Sequence, residues 1–539
     1  MVASEQSPQR RAYSKNKNLH KAKPNKKERS LEDKLWDTAE LLRDKVSPTS
    51  YKDIALGLLF LKFISNRYDE RRKEIEEETK DSSQKEREYL LNLKESYAAK
   101  GVFFLEGDSW NDLTKIASSE KNLAIKIDEM IQEIENDNPD LENVLPKVFA
   151  GSGIPNDNLQ QLIETFDTIP THELSKDHFG QIYEYFLRNF HKKIGQKGGE
   201  FFTPESIVQL LVEIIEPYEG IIYDPTCGSG GMFVQSKKFQ DAHKDKSKKG
   251  TSIYGVDSQK DIWRIAKMNL TMRGIEAKNI KNADCLLEHP YAKVKANRIL
   301  ANPPFNKGEW GHEKLKDDAR FAKYGMPSNG KPGGNYAFMS HMIYHLDEKD
   351  GKLGLVLANG SMSAGGKEGE IREKIIKDDL IDCMVALPTN LFYTVTIPAC
   401  LWFITKNKDD GKSRKRKEET LFIDARKIFT KVDRAHNKLS EEQIQKIAET
   451  YRSFIGEKGY PKYKDVAGYC KVVKIKDIEK NNFVLTPGRY VGAEEIEDDE
   501  EPFEDKMKRL TSEYAKLSDE SKKLDKEIRK NLKEIGFEI

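Results

Sequence analysis

The spacing of hydrophobic residues divides most of the chain into distinct parts. From residue 31 to about residue 165 the apolar positions recur every three or four residues, which predicts an all-α domain. Residues 198–406 instead alternate short apolar runs with helical stretches, a pattern typical of a parallel sheet with crossover helices. The predicted strands are residues 220–223, 253–256, 298–300, 353–357, 381–386 and 401–404.

Another pattern occupies the end of the chain, after a strongly acidic segment at residues 494–505. Apolar residues recur there at spacings of three and four, and Ser521 and Asn531 are the polar residues at two positions of the series. This spacing predicts a long helix with a coiled-coil-like stripe. Such a stripe can dock on a partner helix or fold back on its own chain. Its apolar members are Phe503, Met507, Leu510, Tyr514, Leu517, Leu524, Ile528 and Ile535.

Residues 1–30 contain nine Lys or Arg side chains and only two acidic ones, and they cannot bury enough surface to fold alone. They predict a basic disordered tail, and an arm that touches nucleic acid is the functional alternative. The chain therefore divides into five predicted segments. They are the tail at residues 1–30, the helical domain at 31–165, the α/β domain at 166–425, a helical or mixed extension at 426–492, and the acidic segment with the terminal helix at 493–539.

Composition excludes several classes of protein. The 539 residues include 91 Lys and Arg against 90 Asp and Glu, and a net charge of +1 excludes a wholly basic coat for nucleic acid. The five cysteines form no Cys-x-x-Cys pair and are odd in number, so we expect no disulfide framework and a reducing, cytoplasmic location. We find no signal peptide, and the most apolar stretch, residues 54–64, is too short to span a bilayer, so we expect no membrane partner.

The first candidate site is Asp-Pro-Thr-Cys-Gly-Ser-Gly-Gly at residues 224–231, directly after the first predicted strand. A strand, a glycine-rich turn and a helix bring the backbone close to a nucleotide-like ligand, and side chains at the glycines would block that approach. Asp224 ends the strand, where it can hold a polar group of the ligand. A structural tight turn without a ligand is the alternative interpretation.

Two further carboxylates come after this turn. Asp257 ends the second predicted strand, where the hydroxyls of a ribose are usually held. Asp284 ends the next unit and can reach the amino group of an adenine. Many strands end in Asp, so it is the order of these residues after the glycine turn that favours a nucleotide site.

The third candidate site is Asn302-Pro303-Pro304-Phe305, after the predicted strand at 298–300. The prolines stiffen the turn and have no N–H to donate, so the Asn302 side-chain oxygen and a proline carbonyl can both accept from one amino group. Two acceptors prepare an exocyclic amine to attack an electrophile, and Phe305 offers a flat face on which a planar base can stack. An ordinary turn at a strand end is the alternative.

Together these motifs resemble the S-adenosylmethionine-dependent amino-methyltransferases of DNA. Gly-Glu-Phe-Phe-Thr-Pro at 199–204 precedes the glycine turn, which is followed by Tyr-Gly-Val-Asp at 254–257 and then by Asn-Pro-Pro-Phe. With the cofactor motifs ahead of the catalytic tetrapeptide, the order is similar to that of the gamma-class adenine-N6 enzymes. The resemblance implies a Rossmann-like α/β methyltransferase core in residues 166–425.

The parts of the chain outside these motifs resemble one particular group of these enzymes. The helical start, the segment 391–402 and Leu-Thr-Pro-Gly-Arg-Tyr at 485–490 are similar to the modification subunit of type I restriction–modification systems. This resemblance covers most of the chain from residue 31. It implies an N-terminal all-α domain, the methyltransferase core, and a C-terminal helical, coiled-coil-like tail.

The resemblance also implies a role for each matched residue. Residues 200–205 flank the methionine end of the cofactor, residues 224–231 form the turn beneath it, Asp257 binds its ribose and Asp284 lies near its adenine. The implied catalytic residues, which hold a flipped adenine, are Asn302, Pro303, Pro304 and Phe305. The implied cofactor-binding residues are Glu200, Phe201, Phe202, Thr203, Pro204, Glu205, Asp224, Gly228, Ser229, Gly230, Gly231, Asp257 and Asp284.

The implied activity is methyl transfer from S-adenosyl-L-methionine to N6 of an adenine in DNA. The implied partners are double-stranded DNA, a separate specificity subunit, a second copy of the modification subunit and a restriction (translocase) subunit, and the terminal stripe is the candidate contact for the specificity subunit. The transfer needs neither a metal nor a covalent enzyme intermediate, so Cys227 and Cys285 need not be nucleophiles. Four histidines are scattered along the sequence and predict no metal cluster: His191, His312, His341 and His345.

Three other hypotheses remain open at this level. Asn-Pro-Pro-aromatic sites also serve methyltransferases that act on a protein glutamine or an RNA base. A scaffold can retain the fold without catalysis, although an intact tetrapeptide and glycine turn favour an enzyme. An enzyme with its own sequence specificity needs a recognition domain, and the segment after residue 406 is short and highly charged.

Overall fold

The computed structural model describes residues 30–170, 178–194, 203–247, 249–392, 398–493 and 503–534. The chain forms two compact units. As far as they are described, residues 1–196 and 260–278 make up the first, and residues 197–259 and 279–539 make up the second. None of the described helices is long and apolar enough to cross a membrane. Apart from Ser30, the predicted basic tail lies outside the described residues.

The first unit is helical, as predicted. Its helices include α1 (Leu31–Glu40), α2 (Pro48–Glu78), α3 (Gln84–Leu91), α4 (Lys94–Ala98), α5 (Trp110–Ile116), α6 (Leu123–Asp137), α7 (Asn156–Asp167) and α8 (His178–Ile194). Ser30 and Ser47 begin α1 and α2, because each side-chain oxygen accepts a backbone N–H of the first turn at 3.1 Å. The helix Lys260–Met272 completes this unit, and its residues Ile265 and Met268 lie in the core of the unit.

The second unit is organised by a nine-stranded sheet. Its strands are β1 (Gly220–Asp224), β2 (Thr251–Asp257), β3 (Ile280–Asn282), β4 (Arg298–Ala301), β5 (Lys352–Ala358), β6 (Ile381–Ala386), β7 (Ala399–Thr405), β8 (Glu419–Asp424) and β11 (Cys470–Lys474). A separate two-stranded hairpin consists of β9 (Thr430–Lys431) and β10 (Asn437–Lys438). The order of the main sheet is β11-β8-β6-β7-β5-β4-β1-β2-β3.

All six predicted strands are confirmed, but the prediction of a parallel sheet is wrong at β7. This strand runs antiparallel to both β5 and β6. Apolar runs show that a strand is buried, whereas its direction depends on the connection, and the described part of residues 387–398 contains no helix that returns the chain for a parallel pairing. β11 is also antiparallel, to β8.

Helices cover both faces of this sheet, which explains why β6 and β7 are buried along their whole length. The remaining helices of the chain are α9 (Glu205–Ile215), α10 (Gly231–Ala242), α11 (Lys260–Met272, in the first unit), α12 (Ala319–Ala322), α13 (Lys331–His345), α14 (Gly366–Lys377), α15 (Glu441–Ile455), α16 (Ile475–Lys480) and α17 (Phe503–Glu534). The described residues also form five short 3₁₀ turns, Pro139–Leu141, Ala150–Ser152, His312–Leu315, Asn359–Met362 and Pro487–Arg489.

The long terminal helix is confirmed as α17. Its apolar stripe does not fold back on the described residues, since Tyr514 is 75% exposed and Leu517 is 60% exposed. Ile535 and the acidic residues 494–502 lie outside the described part of the chain. The five predicted segment boundaries remain predictions.

Candidate active site

The candidate motifs meet at one edge of the sheet. β1 pairs in parallel with β2 and β4, and their carboxyl ends carry Asp224, Asp257 and the loop that begins at Asn302. Strands that run parallel place their carboxyl ends along the same edge, so residues far apart in sequence become neighbours there. In an open α/β sheet this edge is the usual place for a ligand.

The predicted strand–turn–helix around residues 224–231 is confirmed. Gly230 has φ 81° and directly precedes α10, whose first residue is Gly231. Gly228 also has a positive φ, of 53°, while Ser229 is half-buried. The turn therefore depends on glycine at two positions where another residue is strained.

Asp224 is almost fully buried beneath this turn, and one of its carboxyl oxygens accepts the Thr226 N–H at 3.0 Å. Burial raises the pKa of Asp224 to about 8, and the nearby charge of Asp257 adds to that shift. Asp224 thus shapes the turn through its own hydrogen bond.

Asp257 joins the end of β2 to the glycine turn. Its Oδ2 accepts the Gly228 N–H at 3.1 Å, and its Oδ1 accepts the Gln259 N–H at 2.9 Å. These two bonds fix the orientation of the carboxylate beside the glycine turn.

Asp284 organises the neighbouring loop. Its Oδ1 accepts the N–H groups of Leu286 at 2.9 Å and Leu287 at 3.0 Å, and its Oδ2 lies 3.8 Å from the Lys307 ammonium. Lys307 follows the tetrapeptide at 302–305 by two residues, so this ion pair joins the Asp284 loop to the loop after β4.

The amide of Asn302 is held on one side only. Its Nδ2 donates to Thr203 Oγ1 at 2.8 Å, whereas its Oδ1 is buried and has no hydrogen-bond partner among the described residues. An unpaired buried acceptor costs about 1–3 kcal/mol, so a donor that reaches Oδ1 gains an unusually favourable bond. Pro303 is buried and Pro304 is half-buried beside it.

Phe305 lies against a second aromatic ring. It is 9% exposed, and its ring centre is 5.8 Å from that of Phe392 with an interplanar angle of 79°. This edge-to-face contact fixes the ring that was predicted to stack on a base.

Two asparagines that the sequence analysis missed hold the loop after β4. The Asn306 N–H donates to Asn335 Oδ1 at 2.9 Å, and Asn335 Nδ2 donates to Asn306 Oδ1 at 2.8 Å. Gly334 permits this approach of α13, because a Cβ there would lie 2.2 Å from the Lys307 carbonyl oxygen. The Gly-Gly-Asn sequence at 333–335 indicates a close contact of the backbone. It does not identify the loop after β4 as the partner in that contact.

The segment predicted to flank a cofactor is described only in part. Glu200, Phe201 and Phe202 lie outside the described residues. Pro204 is buried at the start of α9, and Glu205 is exposed, 3.8 Å from the Lys238 ammonium on α10. Of the described members of this segment, Thr203 is the one with a hydrogen bond to the tetrapeptide.

Three histidines that look scattered in sequence form a cluster, which corrects the prediction for His341 and His345. These two lie one turn apart on α13, and His289 joins them, with ligand atoms within 4.8 Å of one another. The His289 and His345 Nε2 atoms are 2.8 Å apart, and His345 Nδ1 lies 2.7 Å from the Val294 carbonyl oxygen. The carbonyl requires a proton on His345 Nδ1, so the His345 Nε2 accepts from His289.

Arg320 completes this cluster. Its five N–H groups donate to both carboxyl oxygens of Asp318, to the carbonyls of Cys285 and Leu286, and to His341 Nδ1 at 2.8 Å. His341 Nε2 therefore carries the proton, and it lies 2.9 Å from the Tyr223 hydroxyl oxygen.

Burial lowers the pKa of all three histidines, to about 4 for His345, and this favours the neutral rings. Satisfied neutral imidazoles beside a guanidinium are a poor cation site. We interpret the cluster as a hydrogen-bond network, which we call the Arg320 network.

The cysteines near the turn are poor nucleophiles. Cys227 and Cys285 are buried, and burial raises the pKa of both thiols far above the usual range. A thiol that stays protonated reacts slowly, so neither cysteine is suited to nucleophilic attack.

Comparison with known proteins identifies the family. The chain matches a family model described as N-6 DNA Methylase over residues 174–499, and one described as the HsdM N-terminal domain over residues 31–166. It is 40% identical over 501 residues to the type I restriction enzyme MjaIX methylase subunit of Methanocaldococcus jannaschii, which covers 90% of this chain and 87% of the relative. It is 44% identical over 424 residues to the HindI methylase subunit of Haemophilus influenzae, which covers 76% of this chain and 92% of the relative.

A solved structure agrees on the fold. The type I restriction–modification methyltransferase subunit of Streptococcus thermophilus superposes with a TM-score of 0.72 at 23% identity, over 86% of this chain and 99% of that one. This similarity confirms the α/β methyltransferase core with its N-terminal helical domain. The chain therefore belongs to the N-6 DNA methylase family, among the methylase subunits of type I restriction enzymes.

Proposed function

We propose that this methylase subunit transfers a methyl group from S-adenosylmethionine to N6 of an adenine in double-stranded DNA, at a site selected by a separate specificity subunit. The observation that carries the proposal is the buried Oδ1 of Asn302 at the carboxyl edge of β4, which has no hydrogen-bond partner among the described residues. An adenine amino group is a donor that this acceptor can bind. The relatives do not favour a protein glutamine, an RNA base or a scaffold role.

The residues at the glycine turn fit the proposed cofactor. A Cβ built on Gly228 or Gly231 meets no atom of the described chain within 4 Å, so the space over the turn is open. Asp257 ends β2 beside the glycine turn, where a carboxylate is suited to ribose hydroxyls, and Asp284 and Thr203 lie on loops joined to the tetrapeptide. S-adenosylmethionine, when bound, supplies an activated methyl group, so the protein has to position the acceptor rather than form a covalent intermediate.

The tetrapeptide is suited to preparing the amine. Asn302 Oδ1 accepts one N–H of the base, and a proline carbonyl of the same turn can accept the other, which orients the nitrogen lone pair for attack. Thr203 holds the Asn302 amide so that the oxygen is the atom left available. Phe305 provides the face of the base pocket, and an adenine must leave the duplex stack to reach it.

The activity is tested by incubating the subunit, alone and with its co-expressed specificity subunit, with S-adenosylmethionine and unmethylated duplex DNA. Nucleoside mass spectrometry is expected to find N6-methyladenine only when the specificity subunit is present. Asn302→Ala is expected to abolish the product, while Asn92→Ala, which removes an exposed amide at the end of α3, leaves it unchanged. A methylated cytosine, or no methylated base despite cofactor binding, contradicts the proposal.

We propose that α17 supplies a contact to the specificity subunit. Its apolar stripe is exposed, from 43% at Met507 to 75% at Tyr514, and a helix with such a stripe gains stability by packing on partner helices. The proposed assembly also contains a second methylase subunit and binds a restriction subunit.

Truncation before Phe503 is expected to weaken co-purification of the specificity subunit. The matched control replaces the exposed charges Lys508 and Glu520 of α17 with Ala and leaves the stripe intact. Equal recovery of the complex with the truncated chain contradicts the proposed contact.

A further inference from the structure

A basic hairpin follows β8. We use this name for residues 426–438, which contain the strands β9 and β10, five Lys or Arg side chains and one Asp. Their formal charge is thus +4 with the histidine neutral, whereas the whole chain carries only +1. Such a local excess of positive charge in a nearly neutral chain attracts a polyanion.

The basic hairpin lies at the same edge of the sheet as Asn302. β4, β5, β6 and β8 run in one direction, since β6 pairs in parallel with β8 and both β5 and β6 are antiparallel to β7. The loop after β6 joins the two sites. Asn437 in the hairpin donates from its backbone N to the Asn390 carbonyl at 2.8 Å, and from its Nδ2 to the Thr389 carbonyl at 3.0 Å.

Two residues further along this loop, Phe392 packs on Phe305 of the tetrapeptide. The basic hairpin is therefore tied, through one short loop, to the pocket proposed to hold the target base. A duplex that delivers a base to that pocket has its backbone close to this loop.

Three of the hairpin's cations are not neutralised by any described residue. Lys431, Arg434 and Lys438 are exposed, and they form no ion pair within the described part of the chain. By contrast, Arg426 Nε donates to Asp424 at 2.8 Å, and the single acid, Asp433, lies 2.9 Å from His436 Nδ1. The hairpin also exposes apolar surface, with Phe429 at 41% and Val432 at 52%.

We propose that the basic hairpin binds the phosphate backbone of the duplex beside the adenine held at Asn302. The proposal rests on the function proposed above, since it requires a DNA substrate at this edge. Lys and Arg on a hairpin are suited to phosphates, because each contact releases a counterion and needs no particular base sequence. An acidic protein surface is the competing occupant, and the experiment separates the two.

The experiment measures the affinity of the complex with its specificity subunit for a fluorescently labelled duplex, by anisotropy, over a series of NaCl concentrations. The test variant carries Lys431→Gln, Arg434→Gln and Lys438→Gln. The control variant carries Lys249→Gln, Lys349→Gln and Lys476→Gln, three exposed lysines near the opposite edge of the sheet. Thermal unfolding of both variants verifies that they fold.

We expect the slope of log Kd against log [NaCl] to fall by about 0.9 for each phosphate contact removed, and the affinity at 0.1 M NaCl to fall roughly tenfold per contact. The control variant keeps the wild-type slope. Lys431→Arg with Lys438→Arg also keeps it, because the charge remains.

An unchanged salt slope in the test variant overturns the proposal. Loss of the specificity subunit from that variant also overturns it, because the hairpin then binds protein. The proposed function is judged separately, by N6-methyladenine formation with the wild-type complex. If the slope falls while the wild type methylates no adenine, the hairpin binds DNA and the proposed function is wrong.

Discussion

Two buried polar regions of the second unit are organised in opposite ways. In the Arg320 network all five N–H groups of one guanidinium have acceptors, and each of the three histidines has a hydrogen-bond partner. At Asn302 the amide nitrogen is bonded and the oxygen is left without a partner among the described residues. The satisfied region is expected to stabilise the fold, and the unsatisfied one to favour a bound ligand.

Residues of the Arg320 network adjoin, in sequence or by hydrogen bonds, segments of the candidate active site. Tyr223, which contacts His341 of the network, directly precedes Asp224 of the glycine turn, and Arg320 binds the carbonyls next to the Asp284 loop. A satisfied network can therefore fix the backbone on which an unsatisfied site is built. Substitutions in the two regions should separate stability from activity.

The largest effect is expected from Arg320→Met. The side chain is 3% exposed, and its loss leaves His341 Nδ1 and two buried carbonyls without a donor, which costs about 3–5 kcal/mol of unfolding free energy. Urea denaturation followed by circular dichroism measures this loss. The control is Lys316→Met, which removes an exposed cation close by in sequence and should cost less than about 0.5 kcal/mol.

Asn302→Ala is expected to give the converse result. Loss of an acceptor used in the transition state lowers kcat by about 10²–10³-fold, or 2.7–4 kcal/mol, by analogy with the removal of one oxyanion-hole donor. The unfolding free energy should change little, because no described residue donates to the oxygen. Single-turnover methylation and denaturation on the same preparation test both parts, and a large loss of stability contradicts the distinction between the regions.

Thr203→Val is expected to have a smaller effect on the same amide. It removes the acceptor for Asn302 Nδ2, so the amide is free to turn, and we expect the methylation rate to fall about tenfold, or 1.4 kcal/mol. Thr203→Ser keeps the oxygen and should restore most of the rate. A rate that falls in Thr203→Ser but not in Thr203→Val means that the methyl group of the threonine, rather than its hydroxyl, matters.

The smallest effect is expected from pH on the Arg320 network. Burial lowers the pKa of His345 from 6.5 to about 4, so below pH 6.5 the unfolded chain binds a proton more readily, and stability falls as the pH falls towards 4. His345→Asn can retain the donor to Val294 but cannot titrate. Between pH 7.5 and pH 5.5 the wild type should lose about 1 kcal/mol more unfolding free energy than the variant, and parallel curves contradict this assignment.

Much of the fold and of the candidate site could be predicted because the signals are local. Six apolar runs identified six strands, and the glycine turn at 224–231 requires backbone conformations that glycine readily adopts. The order of Asp224, Asp257 and Asn302 at successive strand ends implied one shared edge, since parallel strands bring their carboxyl ends together.

The tertiary structure alone decided which distant side chains pair. The contact of Asn335 with Asn306, the convergence of His289 with α13, and the antiparallel direction of β7 leave no periodic signal in the sequence. They depend on packing between segments separated by tens of residues, where hydrogen-bond geometry is set within a few tenths of an ångström. The same packing left the Asn302 oxygen without a donor in the described parts of the chain, whereas the sequence determined only that an asparagine would stand at that edge.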